Sequence, residues 1–322
     1  MKKRVYNVSV IIPYRNTVNY LSRALDSALI YGCNDVQVIV VNDNSNENLN
    51  EYKKLVKKYK NSVEFYESTN GRGAGVARNI GLEHARGKWI LFLDTDDEFT
   101  NEWYGIVKKY FNSNYDIVYF QPTSEAKSNT RTGNRHLRYK RRVENYLKNS
   151  SQRNEDKLRY EFIVPWSKLI RKDLILNNNI KFEEVMYGND NMFSVRIGNL
   201  AKEIFASNEI IYKVSDMSNS LTKNKSFDAI YQREQVHCRR YNYIKKEIGV
   251  RRFNELDICV FVSVDLCKVI ARVIKGKYEY KSINKFIALH HEQNIRPFPP
   301  IKYIIHNFGR LMRFVLRIDK VY

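Results

Sequence analysis

The 322-residue chain predicts an α/β fold: a mostly parallel central sheet with flanking helices, followed by a basic, mainly helical C-terminal part. Three observations carry that expectation. Short apolar runs recur through the first ~120 residues, most of them apolar enough for strands buried on both faces. Helix-period patterns separate them, and strand–helix–strand alternation builds parallel sheets. From about residue 226 onward the patterns are helical.

The elements follow in order. Val8–Pro13 (VSVIIP), Val36–Val41 (VQVIVV), Val63–Tyr66 (VEFY), Trp89–Leu93 (WILFL) and Asp116–Phe120 (DIVYF) read as strands. Leu21, Ala24, Leu25, Ala28 and Leu29 fall on one helix face. Residues 47–60 read as a charged surface helix, and 73–86 and 100–112 as two more. Ser45 and Thr100 are candidate caps for the helices after them. SEAKSNTRTGNRHLRYKRR, residues 124–142, has no acid after Glu125 and reads as a basic loop leading into a helix. The expected division is 1–125 as a first half, 126–222 as the second half of the same domain, and 223–322 as the helical basic region.

Composition narrows the classes. Hydrophobic residues make up 43%, so a folded core is expected rather than a disordered chain. Cys33, Cys238, Cys259 and Cys267 form no CxxC pair and no zinc spacing, which points to a reduced, cytoplasmic setting. The apolar run after the basic N-terminus is too short for a signal peptide, and no run approaches the ~18 apolar residues of a membrane span. The net charge is +20, and residues 223–322 hold 21 Lys/Arg against 9 Asp/Glu. That balance fits an anionic partner: nucleic acid, anionic lipid or a phosphorylated substrate.

Ligands of such sheets bind beyond the carboxyl ends of the strands. Tyr14–Arg15–Asn16, Asn42–Asp43–Asn44–Ser45 and Asp94–Thr95–Asp96–Asp97 follow three of the expected strands, which puts three polar clusters at one edge. A dinucleotide fingerprint is rejected: Gly71, Gly73 and Gly75 are spaced GxGxG, and the first strand ends in Pro13-Tyr14 rather than a glycine turn. Asp94-Thr95-Asp96 is the most informative piece. Two carboxylates at a strand end can share one hard cation, and Mg2+ or Mn2+ takes carboxylates together with substrate phosphate oxygens.

VSVIIPYRN, VIVVNDNS, GAGVARNIGLEHARGKWILFLDTDDEF, PWSKLIRKDLI and YGNDNMF, in that order, resemble the successive motifs of family 2 glycosyltransferases with the GT-A type fold. The resemblance covers roughly residues 5–222. It implies a nucleotide-diphospho-sugar donor, most often a UDP-sugar, a saccharide acceptor, inverting transfer, and Mg2+ or Mn2+. It implies that Asp43 bonds the base, that Pro13 and Tyr14 line it, and that Arg78 lies near base and phosphates. Arg15, Gly73 and Thr95 complete the donor set; of the two acids assigned to the metal, Asp94 matches the ribose-side or water-mediated acid and Asp96 the direct ligand. Asp190 matches the catalytic base, with Asn189 where the family often has Glu. Trp166, Lys168 and Asn189 are expected beside the acceptor or donor sugar. Local chemistry keeps alternatives open: Asp190 could cap a helix, and Trp166 could be core. Ser220 and Thr222 stand where a diphosphate-gripping loop is expected, without its usual arginine; Lys213 or Lys223 could substitute.

Residues 301–318, IKYIIHNFGRLMRFVLRI, set an apolar stripe against Lys302, His306, Arg310, Arg313 and Arg317. That pattern fits a helix lying on an anionic membrane, with core packing or a homodimer interface as alternatives. The reading is an inverting glycosyltransferase of bacterial surface-glycan assembly, peripheral at the cytoplasmic membrane face, with a saccharide acceptor, free or lipid-linked, and no nucleic acid partner. Its rivals are a silent sugar-nucleotide-binding module, a nucleic-acid-binding protein and a glycan polymerase.

Overall fold

The computed structural model describes residues 5–29, 32, 34–69, 71, 73–124, 135–215 and 224–296. The chain divides into two compact units, Met1–Ser220 and Leu221–Tyr322.

In the first unit the strands are β1 (Val8–Tyr14), β2 (Val36–Asp43), β3 (Val63–Ser68), β4 (Trp89–Phe92), β5 (Glu98–Phe99), β6 (Ile117–Ser124), β7 (Lys168–Arg171) and β8 (Ile204–Val214). They form one eight-stranded sheet in the order β3-β2-β1-β4-β7-β6-β8-β5. The four strands β3, β2, β1 and β4 are parallel. β7 runs antiparallel to β4 and β6, β8 is parallel to β6, and the two-residue β5 is antiparallel to β8. The apolar runs are buried as their composition requires: every residue of β1 and β4 is buried.

Helices α1 (Val18–Leu29), α2 (Leu49–Tyr59), α3 (Ala74–His84) and α4 (Trp103–Lys108) connect these strands. α5 (Arg135–Lys148) and α6 (Gln152–Glu161) follow β6, while α7 (Lys172–Asn177) and α8 (Asn189–Leu200) follow β7. The α1 stripe packs as expected, with Leu21, Ala24, Leu25 and Ala28 buried. Two local expectations fail. Neither Ser45 nor Thr100 caps a helix: α2 begins after Asn48 and α4 after Glu102. Ser45 instead donates to Asn42 Oδ1 at 2.5 Å, and Thr100 donates to the Ile210 carbonyl at 2.9 Å. Thr100 thereby fastens the acidic loop to β8, and the expected helix shortens to α4. Of the basic stretch, residues 125–134 lie outside the described residues, as do Ser220, Thr222, Lys223 and the 301–318 stripe.

The second unit comprises α9 (Phe227–Phe253), α10 (Ile258–Ile274) and α11 (Lys281–Glu292). Ser226 caps α9 by accepting from the Ala229 N–H at 3.3 Å. Gly249, at φ 75°, interrupts α9 with non-helical backbone that a residue without Cβ tolerates. Leu266, Val269 and Phe286 form an apolar centre, and Cys238, Leu289 and Ile295 a second. Among the described residues no helix is long and apolar enough to cross a membrane.

Candidate active site

Because β2, β1 and β4 are parallel neighbours, their carboxyl ends open on one edge of the sheet. Asp43 closes β2 there and is 2% exposed. Its Oδ2 accepts from the Gly73 N–H at 2.9 Å, and Arg15 Nη1 stands 3.8 Å from the same oxygen. Gly73 sits at φ 98°, a conformation that side chains disfavour, so the loop can turn its amide onto Asp43. Among the described residues Asp43 Oδ1 is buried with no hydrogen-bond partner. A buried carboxylate oxygen is costly when unpaired, so it fits a ligand N–H.

The rest of the expected base-lining set behaves differently. The Tyr14 ring is turned into the core, stacked on Tyr52 with centroids 4.8 Å apart, and burial raises its phenol pKa. Pro13 offers its carbonyl to the Thr95 hydroxyl. Pro13 and Thr95 thus tie β1 to the acidic turn, and Tyr14 presents backbone rather than ring.

The acidic turn is built from behind. Tyr212, at the end of β8, accepts from the Asp94 N–H at 3.1 Å and donates to Asp97 Oδ2 at 2.8 Å. The Ser215 N–H donates to Asp97 Oδ1 at 2.7 Å. Arg23 on α1 pairs with Glu98 at 2.8 Å and donates to the Asp96 carbonyl at 3.4 Å and to Ser215 Oγ at 3.2 Å. Burial, then the charges of Asp96 and Asp94, push the Asp97 carboxyl well above the usual range. Asp97 and Glu98 are therefore internal braces. The sequence showed the crowding of acids but carried no signal for Tyr212 or Arg23, which reach the turn from distant elements.

Asp94, Asp96 and Asp97 bring carboxylate oxygens within 4.8 Å of one another. All-oxygen donors with closely spaced negative charge suit a hard divalent cation. Tyr212 and Ser215 already engage both oxygens of Asp97, so Asp96 and Asp94 are the residues that would hold Mg2+ or Mn2+.

Arg78 joins this turn to the other half of the unit. It is 5% exposed; Nη2 donates to Asp94 Oδ1 at 2.6 Å and Nη1 donates to Asn189 Oδ1 at 3.0 Å. Its guanidinium is thus a clamp between strand end and helix rather than an open phosphate ligand. Gly75, one turn earlier on α3, permits the contact: a Cβ there would lie 2.4 Å from the Glu183 carbonyl and 3.0 Å from Asn189 Cβ. Gly188, at φ 74°, starts α8, and Asp190 lies half-buried in its first turn. A carboxylate there is favoured by the helix dipole.

Trp166 and Lys168 do not line an open sugar pocket. Trp166 is 1% exposed and stacks on Tyr212 at 5.0 Å, which buttresses the acidic turn. Lys168 is 0% exposed, donates to the Phe162 carbonyl at 2.5 Å and lies against the Phe162 and Tyr119 rings. Burial lowers its pKa well below that of an ordinary lysine, while the charge of Asp190 opposes the shift. In the sequence core packing is the open alternative for Trp166 alone, yet both residues pack there. Asn189 is likewise committed to Arg78.

Residues 9–177 match the family model described as Glycosyl transferase family 2, a little over half of the chain. A stretch of 122 residues is 36% identical to an uncharacterized glycosyltransferase of Rickettsia felis, covering 38% of this chain and 20% of that one. A stretch of 95 residues is 39% identical to the minor teichoic acid biosynthesis protein GgaB of Bacillus subtilis, covering 29% and 10%. The chain thus spans a fifth or less of the length of these two relatives. In fold it is similar to TarS residues 1–349 of S. aureus in complex with UDP-GlcNAc, with TM-score 0.63 and 17% identity over 89% of this chain and 80% of that one. With its α/β sheet, its carboxylate-bearing strand ends and the family match over more than half its length, the chain belongs to glycosyl transferase family 2.

Proposed function

We propose that the chain transfers a sugar from a nucleoside-diphospho-sugar, a UDP-sugar, to a hydroxyl of a saccharide acceptor in bacterial surface-glycan assembly, with inversion at the anomeric carbon. The observation that carries this reading is the Arg78 clamp. It unites Asp94, 16 residues away, with Asn189, 111 residues away and next in sequence to Asp190. The unpaired Asp43 oxygen supports a nucleobase at the same edge. The S. aureus TarS structure is a complex with UDP-GlcNAc, and the GgaB name places that relative in teichoic acid synthesis. Both support the donor and acceptor classes here.

The chain's own residues supply binding, position and proton transfer. Asp43 fixes the base, and Arg15 screens it. Asp96 and Asp94 would hold the cation, which would neutralise charge on the leaving nucleoside diphosphate. Asp190 takes the proton from the acceptor hydroxyl as its oxygen attacks C1 and the C1–O bond to the diphosphate breaks. Net charge +20 and the basic helix α5 suit an anionic, lipid-linked acceptor at the inner membrane face.

A panel of nucleotide sugars, read as UDP or GDP release with and without EDTA, tests the reading. Turnover of a UDP-sugar that stops with EDTA is expected; absence of turnover with every donor, metal and saccharide acceptor refutes it. Asp190→Asn should lower kcat about 10²- to 10⁴-fold while UDP affinity holds. Retained turnover would remove Asp190 from the base role, and unchanged UDP binding without wild-type turnover would favour a silent binding module.

A further inference from the structure

The interior of the helical unit gathers five chemistry-bearing side chains around one carboxylate. Glu234, His237 and Cys238 stand at i, i+3 and i+4 on α9 and share a face. Glu234 and Cys238 are buried at 1% and 0% exposure. His290 of α11 is also 0% exposed, and its Nε2 lies 2.8 Å from Glu234 Oε1. On the other side, His237 Nδ1 lies 3.5 Å from Glu234 Oε2 and 3.4 Å from Asp265 Oδ2 of α10. Lys268 contacts Asp265 in turn.

A structural Glu–His pair accounts for only part of this. Among the described residues His290 Nδ1 is buried without a hydrogen-bond partner, which is costly in a packed core. The thiol of Cys238 is brought to the same point: donor atoms of Glu234, Cys238 and His290 lie within 4.8 Å of one another. Bundle cores commonly build metal sites in this way, from side chains on facing helices.

We propose that Glu234, Cys238 and His290 bind one Zn2+-class ion between α9 and α11, with His237 set between the far oxygen of Glu234 and the carboxylate of Asp265. The donor set selects the metal. Thiolate, imidazole and carboxylate are zinc ligands, whereas Mg2+ prefers oxygen alone. Charge also balances: one thiolate and one carboxylate match a divalent cation, so the buried site is neutral. On binding, the Cys238 thiol loses its proton to solvent and neutral His290 gives a nitrogen lone pair. The ion cross-links two helices of a small unit. Cysteine spacing alone hid the site because its donors are of three types and come from two helices.

The full chain, reduced and stripped of metal with a chelator, is titrated with Co2+ as a spectroscopic stand-in. One equivalent should produce a thiolate-to-cobalt charge-transfer band, and Zn2+ should displace it. Cys238→Ser should abolish the band, His290→Gln should weaken binding at least ~10-fold, and Cys267→Ser and Asp96→Asn should leave it intact. Zn2+ should also raise the unfolding temperature of the wild type. No band in the wild-type chain, or a band that survives Cys238→Ser, overturns the proposal. The wild-type titration decides the matter even if a variant fails to fold, and the Asp96→Asn control separates this ion from a cation at the sheet edge.

Discussion

At the scale of single residues, Tyr212 shows how a side chain remote in sequence can govern a site. Its hydroxyl bridges the Asp94 amide and the Asp97 carboxyl. Removing it in Tyr212→Phe leaves the ring stack on Trp166 but frees the turn. Second-layer losses of this kind typically cost 10- to 100-fold in metal affinity. The metal concentration for half-maximal activity should therefore rise about 10-fold while kcat at saturating metal changes less; an unchanged metal curve would reduce Tyr212 to packing. Lys168 gives a second prediction with a definite sign. Its folded-state pKa is lowered by burial, so between that value and the ordinary ~10.4 the unfolded chain holds the extra proton. Stability then rises with pH across that window and levels off above it. Lys168→Met should remove that rise, read as the difference between the two pH profiles of unfolding free energy in denaturant. Parallel profiles would show that burial does not displace this lysine's titration.

At the scale of elements, the parallel half of the sheet was legible because buried parallel strands announce themselves as uninterrupted apolar runs. β1, β2, β3 and β4 lie where those runs are. β7 and β8 were not separately legible: KLIR is four residues long, and IFASNEIIYKV mixes polar with apolar positions. Strands of that kind are fixed by their antiparallel and crossover partners rather than by local pattern. The same limit holds at the site. Asp43, Asp94, Asp96 and Asp190 stood out as acids at element ends, but the direction in which Tyr14, Arg78, Trp166 and Lys168 point depends on contacts across the fold. Gly75 marks where α3 and the segment before α8 touch. Gly75→Ala must push apart the Glu183 carbonyl and Asn189, which carries the Arg78 clamp. A loss of about 1–3 kcal/mol is expected from such overpacking. Activity measured well below the unfolding temperature should fall as well, since Asp190 follows Asn189 on α8. Wild-type stability in this variant would mean that the contact relaxes without cost.

At the scale of the whole molecule, charge is the property that no single site explains. Of the net +20, residues 223–322 supply +12, from 21 basic and 9 acidic side chains. Charge of one sign at that density repels itself and lowers the stability of a compact state unless an anionic partner screens it. A membrane surface bearing anionic lipid is such a partner, and each basic residue near it is worth about 1 kcal/mol. The full chain should therefore co-sediment with phosphatidylglycerol vesicles and much less with phosphatidylcholine vesicles. Salt distinguishes this attraction from apolar insertion. The screening length falls from about 10 Å at 0.1 M to about 3 Å at 1 M ionic strength. Electrostatic binding should then drop at least ~10-fold, while binding through apolar insertion would persist. Reversing Arg310, Arg313 and Arg317 to Glu should abolish the salt-sensitive part and leave UDP binding in solution unchanged. Equal binding to both lipids at both salt concentrations would disprove the electrostatic account and leave the charge to the acceptor.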